Sequence, residues 1–151
     1  MSMMERGTVN IRRMTRSDIN AVLALDRKIG GGESGITYKD MAATDLGGQL
    51  GLSFVSEVDG QVIGFILARL AYLGIPFTEV CVIHGIVVDP DYQRHGIGSR
   101  LVNALLSHCH AEEINTIRAL IEEHDTELRR FAEQMGFRRS TIINYDKTFE
   151  S

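Results

Sequence analysis

The segment that constrains the fold most is residues 93–98, Gln-Arg-His-Gly-Ile-Gly, because the periodicity of the chain changes there. Residues 79–88 are rich in β-branched side chains and predict a strand, whereas residues 98–112 repeat apolar side chains at helical spacing. The first N–H groups of a helix have no intrahelical acceptor, and glycine lets a ligand approach them. The segment therefore predicts an anion site suited to a pyrophosphate. Three nearby side chains add charge: Arg94, His95 and Arg100.

Two other phosphate-binding motifs are excluded by single positions. Leu101 stands where a dinucleotide fingerprint has its third glycine. The glycine-rich stretch 30–35 is followed by Ile36, where a P-loop needs Lys-Ser or Lys-Thr, so we interpret it as a flexible loop. One hypothesis for the 93–98 turn is a nucleotide-binding module. It predicts binding of ATP or NAD.

The remaining elements follow from hydrophobic spacing and turn residues. Thr15 and Asp18 resemble a capping box, Asp59-Gly60 predicts a tight hairpin, and Asp125 can cap a last helix that Gly136 ends. The predicted strands are 9–13, 52–58, 61–72, 79–88, 116–121 and 137–149, and the other predicted helices are 17–28, 38–46 and 98–112. The order is β-α-α-β-β-β-α-β-α-β, a mixed α/β sandwich around one sheet.

Composition limits the class of protein. The chain has 151 residues, of which 44% are hydrophobic and 24% charged, and this predicts a single globular domain over residues 1–151. A net charge of −4 argues against nucleic acid as a partner. Cys81 and Cys109 have no paired spacing, so neither a disulfide framework nor a zinc ribbon is expected. Because no apolar run reaches bilayer length and no signal peptide is recognisable, we expect no membrane partner and a cytoplasmic location.

Two clusters of polar residues could be mistaken for sites. His108-Cys109-His110 lies on a predicted helix, where neighbours two positions apart point about 200° apart and cannot bind one ion. We expect a buried Cys109 between two solvated histidines, and no metal. The acidic stretch 122–125 is either a rim that attracts a cationic amine or a solvated turn.

The chain resembles the GCN5-related N-acetyltransferase (GNAT) superfamily. Residues 93–98 match every fixed position of the signature Gln/Arg-x-x-Gly-x-Gly/Ala, and Val-Asp-Pro-Asp-Tyr at 88–92 and Met-Gly-Phe at 135–137 fit as well. The resemblance covers nearly the whole chain. It implies a GNAT-type α/β fold with a mixed, mostly antiparallel central sheet and helices on both faces.

The resemblance also implies an activity, which is transfer of acetyl from acetyl-CoA to a primary amine by direct attack on the thioester. Acetyl-CoA would lie in a splay between strands 79–88 and 116–121, with an N–H near Val87 or Val88 holding the developing oxyanion. No metal is implied, and the acceptor is a small molecule or a protein amine. The residues implied in CoA binding are Ile86, Val87, Val88, Gln93, Arg94, His95, Gly96, Ile97, Gly98, Ser99, Arg100, Asp125, Leu128 and Phe131.

The sequence departs from the family pattern on the last helix. Asp125 stands where relatives often have Asn and can still accept a hydrogen bond from pantetheine. Ala132 stands where relatives often have the Tyr that protonates the thiolate, and it has no proton to donate. The proton would then come from solvent or from Tyr145 on the predicted last strand. The alternative function is a catalytically weak acyl-CoA-binding sensor.

The general base is predicted at His84, where many relatives place a glutamate. An imidazole is a competent base near neutral pH, although a histidine can also simply fill a strand face. Glu79 is the second candidate, and strand alternation places it on the opposite face unless a bulge intervenes.

The predicted C-terminal strand is short. Only fourteen residues follow Phe137. The acceptor side would then be open, or closed by a second subunit that pairs strand edges, so we expect a homodimer.

Overall fold

A five-stranded sheet lies at the centre of the structure, a computed structural model that describes residues 7–30, 35–93 and 95–150. The strands lie in chain order across the sheet: β1 (Asn10–Arg13), β2 (Phe54–Val58), β3 (Gln61–Leu73), β4 (Thr78–Val88) and β5 (Ile117–Ala119). The first three neighbouring pairs are antiparallel and β4 pairs with β5 in parallel. This confirms the predicted mixed, mostly antiparallel sheet.

The turn between β2 and β3 shows how local sequence sets the register. Asp59 and Gly60 both have positive φ, 51° and 81°, as a two-residue type I′ turn requires. Val58 therefore lies opposite Gln61, and the two strands continue as a hairpin. The predicted hairpin is confirmed.

Helices cover both faces of the sheet. The α-helices between residues 7 and 120 are α1 (Ile19–Gly30), α2 (Tyr38–Ala43) and α3 (Ile97–Ala111). Val22 and Leu25 of α1 are buried in one cluster with Phe65 of β3, and this side is called the α1 face. Phe54 of β2 points to the other side, where its ring packs edge-on against His108 of α3 at 5.9 Å, and this side is called the α3 face.

A partly buried ion pair joins β1 to the turn before α1. Arg12 donates two hydrogen bonds to Asp18, at 2.9 and 2.8 Å, and a third to Glu57 at 3.2 Å. Asp18 also accepts from the backbone N–H of Thr15, which completes the predicted capping box. The Arg12 guanidinium holds the pKa of Asp18 below its ordinary value, in spite of the burial of the carboxyl group.

Replacing Arg12 by Met is expected to lower the free energy of unfolding by about 1–3 kcal/mol at neutral pH, because the Asp18 carboxylate stays buried without its partner. A depressed pKa stabilises the fold above the ordinary carboxyl range, near pH 4, and this stabilisation disappears as pH falls through the folded-state value. The difference between wild type and Arg12→Met should therefore shrink toward pH 3. Urea denaturation at several pH values measures it, with the exposed Arg27→Met as control, and an equal loss at pH 3 and pH 7 would contradict the assignment.

The chain divides into two compact units, Met1–Leu120 and Ile121–Ser151. The second contains α4 (Thr126–Gln134), whose N-terminus is capped by the Asp125 carboxylate accepting from the Leu128 N–H at 3.1 Å. Gly136 has a φ of +92° just after this helix, as a C-terminal stop requires. The predicted last helix is therefore confirmed. The expectation of one domain over residues 1–151 stays a prediction.

The predicted strand at 137–149 is wrong. Residues 137–150 contain no strand, and Ile142, Ile143, Tyr145 and Phe149 are all exposed. Their β-branched and aromatic side chains favour a strand, but an extended segment needs a neighbouring strand to satisfy its backbone. Among the described residues of Ile121–Ser151 there is no other strand to supply those hydrogen bonds.

The other predicted elements are found within a few residues of their expected bounds, although α2 is shorter than predicted. The loop predicted at 30–35 falls largely on residues 31–34, which lie outside the described residues. Across the described ranges, no helix combines the length and the apolar character needed to cross a bilayer.

Candidate functional site

One edge of β4 is only partly covered by its neighbour. On one side, β3 pairs with β4 from Thr78 to Val88, with one bulge in β4. On the other side, β5 pairs only with Cys81–Ile83. Within the described part of the chain, no strand pairs with this edge of β4 after Ile83. We call the stretch from His84 to Val88 on this side the open edge.

The antiparallel register determines which backbone groups face the open edge. Asp89 donates its N–H to the Ile63 carbonyl of β3 at 2.8 Å. Because hydrogen-bonding direction alternates along a strand, the N–H of Val87 also points to β3, and those of Ile86 and Val88 point to the open edge. The Val88 carbonyl accordingly accepts from the side chain of Gln93 at 3.2 Å. Of the two predicted oxyanion donors, the register favours Val88.

His84 lies at a bulge in β4. Gly85 is opposite Leu67 and Ile83 is opposite Ala68, so His84 is an extra residue without a partner on β3. Its side chain is exposed. The bulge lies where pairing with β5 ends, and it places this imidazole at the start of the open edge.

Glu79, the second candidate base, is in a different environment. It lies opposite Tyr72, whose hydroxyl donates to its carboxylate at 3.4 Å. It lines a cavity of about 330 Å³ near the C-terminal end of α3, together with Arg13 and His108. Five residues of strand separate Glu79 from His84, a distance of about 17 Å. The structure therefore does not bring the two candidates together.

The start of α3 offers uncapped N–H groups. The first hydrogen bond into the helix runs from the Arg100 N–H to the Gly96 carbonyl at 3.0 Å, so the preceding N–H groups have no intrahelical acceptor. Gly96 has a φ of +72° and no side chain to cap them, and a Cβ at this position would meet nothing within 4 Å. The helix begins at Ile97, one residue earlier than predicted. This arrangement fits an anion.

The side chains predicted around this anion site differ in their placement. His95 is exposed, and Ser99 is half-buried in the first turn of the helix. Arg100 directs its guanidinium to the Val9 carbonyl at 3.2 Å, and so contacts the backbone before β1. Arg94 lies outside the described residues.

Lys28 supports the loop between β4 and α3, and sequence reasoning did not identify it. Its ammonium group contacts the buried Asp89 carboxylate at 2.9 Å, and Asp89 also accepts from the Asp91 N–H at 2.9 Å. Burial alone would raise the pKa of Asp89, but these two contacts together lower it below its ordinary value. Lys28 and Asp89 are 61 positions apart, and no local pattern could have paired them.

Several predicted site residues belong to the second unit. Asp125 caps α4, and Leu128 and Phe131 are half-buried on that helix. Tyr145 is 90% exposed and is not on a strand, so the element predicted to carry it does not form. The acidic stretch 122–125 is exposed, and Arg139 contacts Glu123 at 3.6 Å.

The histidines of α3 are only partly as predicted. Cys109 is buried and His110 is exposed, as expected. His108 is not solvated but half-buried, because it packs on Phe54 and contacts Arg13 at 3.1 Å. Burial, and then the charge of Arg13, lower the pKa of His108. No group of side chains suited to a metal ion occurs among the residues that the structure describes.

A mixed sheet between helices, open beside an uncapped helix N-terminus, is the arrangement that the resemblance to the GNAT superfamily implies. The model of the acetyltransferase (GNAT) family matches residues 24–137, and the chain belongs to this family. The predicted family and fold are therefore confirmed. A curated relative is an uncharacterized N-acetyltransferase of Methanocaldococcus jannaschii, 28% identical over 91 residues. That match covers 60% of this chain and 40% of the relative, so the chain spans less than half of that protein.

Solved structures share the fold. AAC(6′)-Iy, bound to a bisubstrate analogue of CoA and an acetylneamine, has 19% identity and a TM-score of 0.75, covering 95% of this chain and 100% of that one. AAC(6′)-Ih of Acinetobacter baumannii has 18% identity and a TM-score of 0.73, with coverage of 95% and 100%. A ribosomal-protein-alanine N-acetyltransferase of Brucella melitensis biovar Abortus 2308 has 15% identity and a TM-score of 0.74, with coverage of 94% and 99%. At these identities the likeness establishes the fold alone.

Proposed function

We propose that this protein is an N-acetyltransferase that transfers acetyl from acetyl-CoA to a primary amine. The observation that carries the proposal is the open edge of β4 beside the uncapped start of α3. The open edge offers backbone hydrogen bonds to an extended amide chain, and the start of α3 offers N–H groups to a diphosphate. Acetyl-CoA contains both parts, and family membership supports the same ligand.

The residues proposed to hold acetyl-CoA fall into three groups. Ile86 and Val88 would bind the pantetheine arm through their open-edge backbone groups, with Val87 between them. Asp125, Leu128 and Phe131 of α4 would contact pantetheine, as the family resemblance implies. The turn and first helical residues would surround the diphosphate: Gln93, Arg94, His95, Gly96, Ile97, Gly98, Ser99 and Arg100.

Two groups at the open edge would perform the chemistry. Acetyl-CoA supplies an acetyl group activated as a thioester. His84 would accept the proton of the attacking amine, because an imidazole can act as a base near neutral pH. The Val88 N–H would stabilise the negative charge that develops on the thioester oxygen. Glu79 remains the second candidate base, although it lies about 17 Å back along β4.

The departing thiolate of CoA needs a proton. Ala132 has no proton to donate. We keep Tyr145 as the proposed donor, with solvent as the alternative. Unchanged turnover of Tyr145→Phe across the pH range would remove Tyr145 from the mechanism.

The test is release of CoA thiol with a panel of amines, combined with calorimetry of acetyl-CoA binding. Cys81 and Cys109 are both buried. The pKa of the Cys81 thiol is raised mainly by its contact with Cys109 and to a lesser extent by burial. A thiol reagent should therefore report CoA rather than the folded protein. Thiol release supports the proposal. Tight CoA binding without release from any amine would favour the sensor, and preference for ATP or NAD would favour a nucleotide-binding module.

A homodimer and a cytoplasmic location stay predictions. The predicted C-terminal strand does not form in the described residues 137–150. A monomer in sedimentation at high protein concentration would exclude the dimer.

A further inference from the structure

We propose that Arg69 and Arg118 form an anion-binding pair in the acceptor site, and that the acceptor is an amine carrying a carboxylate. This inference rests on the proposed function and narrows its substrate class. It assigns a role to two arginines that neither acetyl-CoA binding nor proton transfer uses.

The sheet register brings the two arginines into one row. Arg69 of β3 lies opposite Val82 of β4, and Val82 lies beside Arg118 of β5. Residues in register on neighbouring strands face the same side of a sheet. Leu67, two positions before Arg69, is in the core cluster under α1, so the row lies on the α1 face. The arginine Cα atoms, on either side of β4, are about 10 Å apart.

The α1 face is uncovered next to this row. Gly85 lies opposite Leu67 on the same face, and a Cβ built on Gly85 would meet nothing within 4 Å. His84 lies at the bulge between Ile83 and Gly85, so open space, a candidate base and two arginines occur along a short length of β4. The proposed diphosphate site is at the start of α3, whose body packs on the other face.

Neither arginine has a partner among the residues that the structure describes. Both are half-buried, and no hydrogen bond or ion pair engages either guanidinium. The Nε of Arg69 is fully buried and has no acceptor. A buried donor without a protein acceptor is uncommon in a native fold, and its acceptor then comes from outside the chain, as a ligand or a water molecule.

The carboxylate of Asp45 does not fill this role. Asp45, whose backbone lies against Gly51, the bridge partner of Arg69, accepts from the Leu50 N–H at 2.9 Å. Its carboxylate is thus engaged with the backbone.

The charge of the pair determines which acceptors fit. Arginine binds carboxylates through paired, charge-assisted hydrogen bonds. An amine at His84 and a carboxylate above Val82 would be separated by about two residues of strand, or about 7 Å, before the arginine side chains adjust. A polycationic acceptor would meet two like charges instead. The site therefore favours an amino acid over an aminoglycoside or a polyamine.

The experiment compares acceptors that differ only in charge. Glycine, β-alanine, 4-aminobutyrate and L-lysine are assayed against their amides, with spermidine and neamine as polycations. For at least one carboxylate we expect a kcat/KM at least about tenfold above that of its amide. Arg69→Met and Arg118→Met should each reduce this preference, and the double variant should abolish it. Acetyl-CoA affinity and rates with the amides should not change, and Arg69→Lys should keep part of the preference.

The exposed Arg27→Met removes the same charge elsewhere and should leave the preference intact. Thiol release that favours spermidine or neamine would overturn the inference while the proposed function stands. If no amine is turned over, a melting temperature raised by a carboxylate amine in wild type but not in Arg69→Met or Arg118→Met supports the inference, although turnover fails. If no carboxylate amine is turned over or bound, the inference is wrong.

Discussion

Acetyl-CoA affinity is expected to fall at least about hundredfold when Gly96 is replaced by aspartate. Gly96 has a φ of +72°, a region that aspartate tolerates better than most residues, and open space surrounds the new Cβ. The carboxylate would lie at the start of α3, where it suits the helix dipole but repels a diphosphate. Two like charges about 4 Å apart near a protein surface repel by about 4 kcal/mol, more than a hundredfold in affinity requires. Calorimetry with CoA and acetyl-CoA measures the change.

Gly96→Asn is the matched control for this substitution. Asparagine has nearly the same size and also tolerates positive φ, but it carries no charge. We expect it to weaken binding less than about tenfold, with the melting temperatures of both variants close to each other. Equal losses in the two variants would mean that shape, and not charge, decides binding at this turn. Unchanged affinity in both would remove the start of α3 from the ligand site.

Local sequence was sufficient to predict the turns and helix ends whose conformation is determined by their own residues. Asp59-Gly60 specifies a hairpin through two positive φ angles, and Asp125 specifies a helix start through its own side chain. The same applies to the 93–98 turn, where a glycine at positive φ separates strand from helix. These features need few distant partners, so their residues carry the information on their own.

Features that depend on distant partners could not be predicted in this way. The segment 137–149 has side chains that favour a strand but lacks a neighbouring strand in its own unit. Strand propensity is a property of the residues themselves and does not show whether such a neighbour exists. Lys28 and Asp89 contact each other from elements far apart in the chain. The Arg69–Val82–Arg118 row exists only because three strands lie in a particular register. The proposed diphosphate site is therefore readable from local sequence, whereas the proposed acceptor site depends on tertiary structure.

The bulge in β4 helps to distinguish the two candidate bases, which the alternation of side chains along a strand does not do. A regular strand would alternate faces from Glu79 to His84, and the sequence could not say whether a bulge intervenes. The register places it at His84 itself. Since His84 has no partner on β3 and is exposed, its side chain contributes little to the fold, and its position at the open edge calls for another explanation.

His84→Ala is accordingly expected to lower kcat/KM by about 10²–10⁴ while leaving acetyl-CoA affinity nearly unchanged. The loss belongs to proton transfer, so His84→Gln, which keeps polarity without basicity, should be as slow as His84→Ala. The melting temperatures of both variants should stay within a few degrees of wild type, since an exposed side chain is removed.

Glu79→Gln separates the two candidate bases, because it removes a carboxylate about 17 Å from His84 and beyond the residues that β5 covers. We expect its kcat/KM to stay within a few-fold of wild type. Wild-type turnover in His84→Ala together with a large loss in Glu79→Gln would reverse the assignment. It would also place the reacting amine in the cavity lined by Arg13 and His108, on the α3 face. In that case Arg69 and Arg118, on the α1 face, would lie too far from the chemistry to select the acceptor, so this pair of variants tests the location of the acceptor as well as the identity of the base.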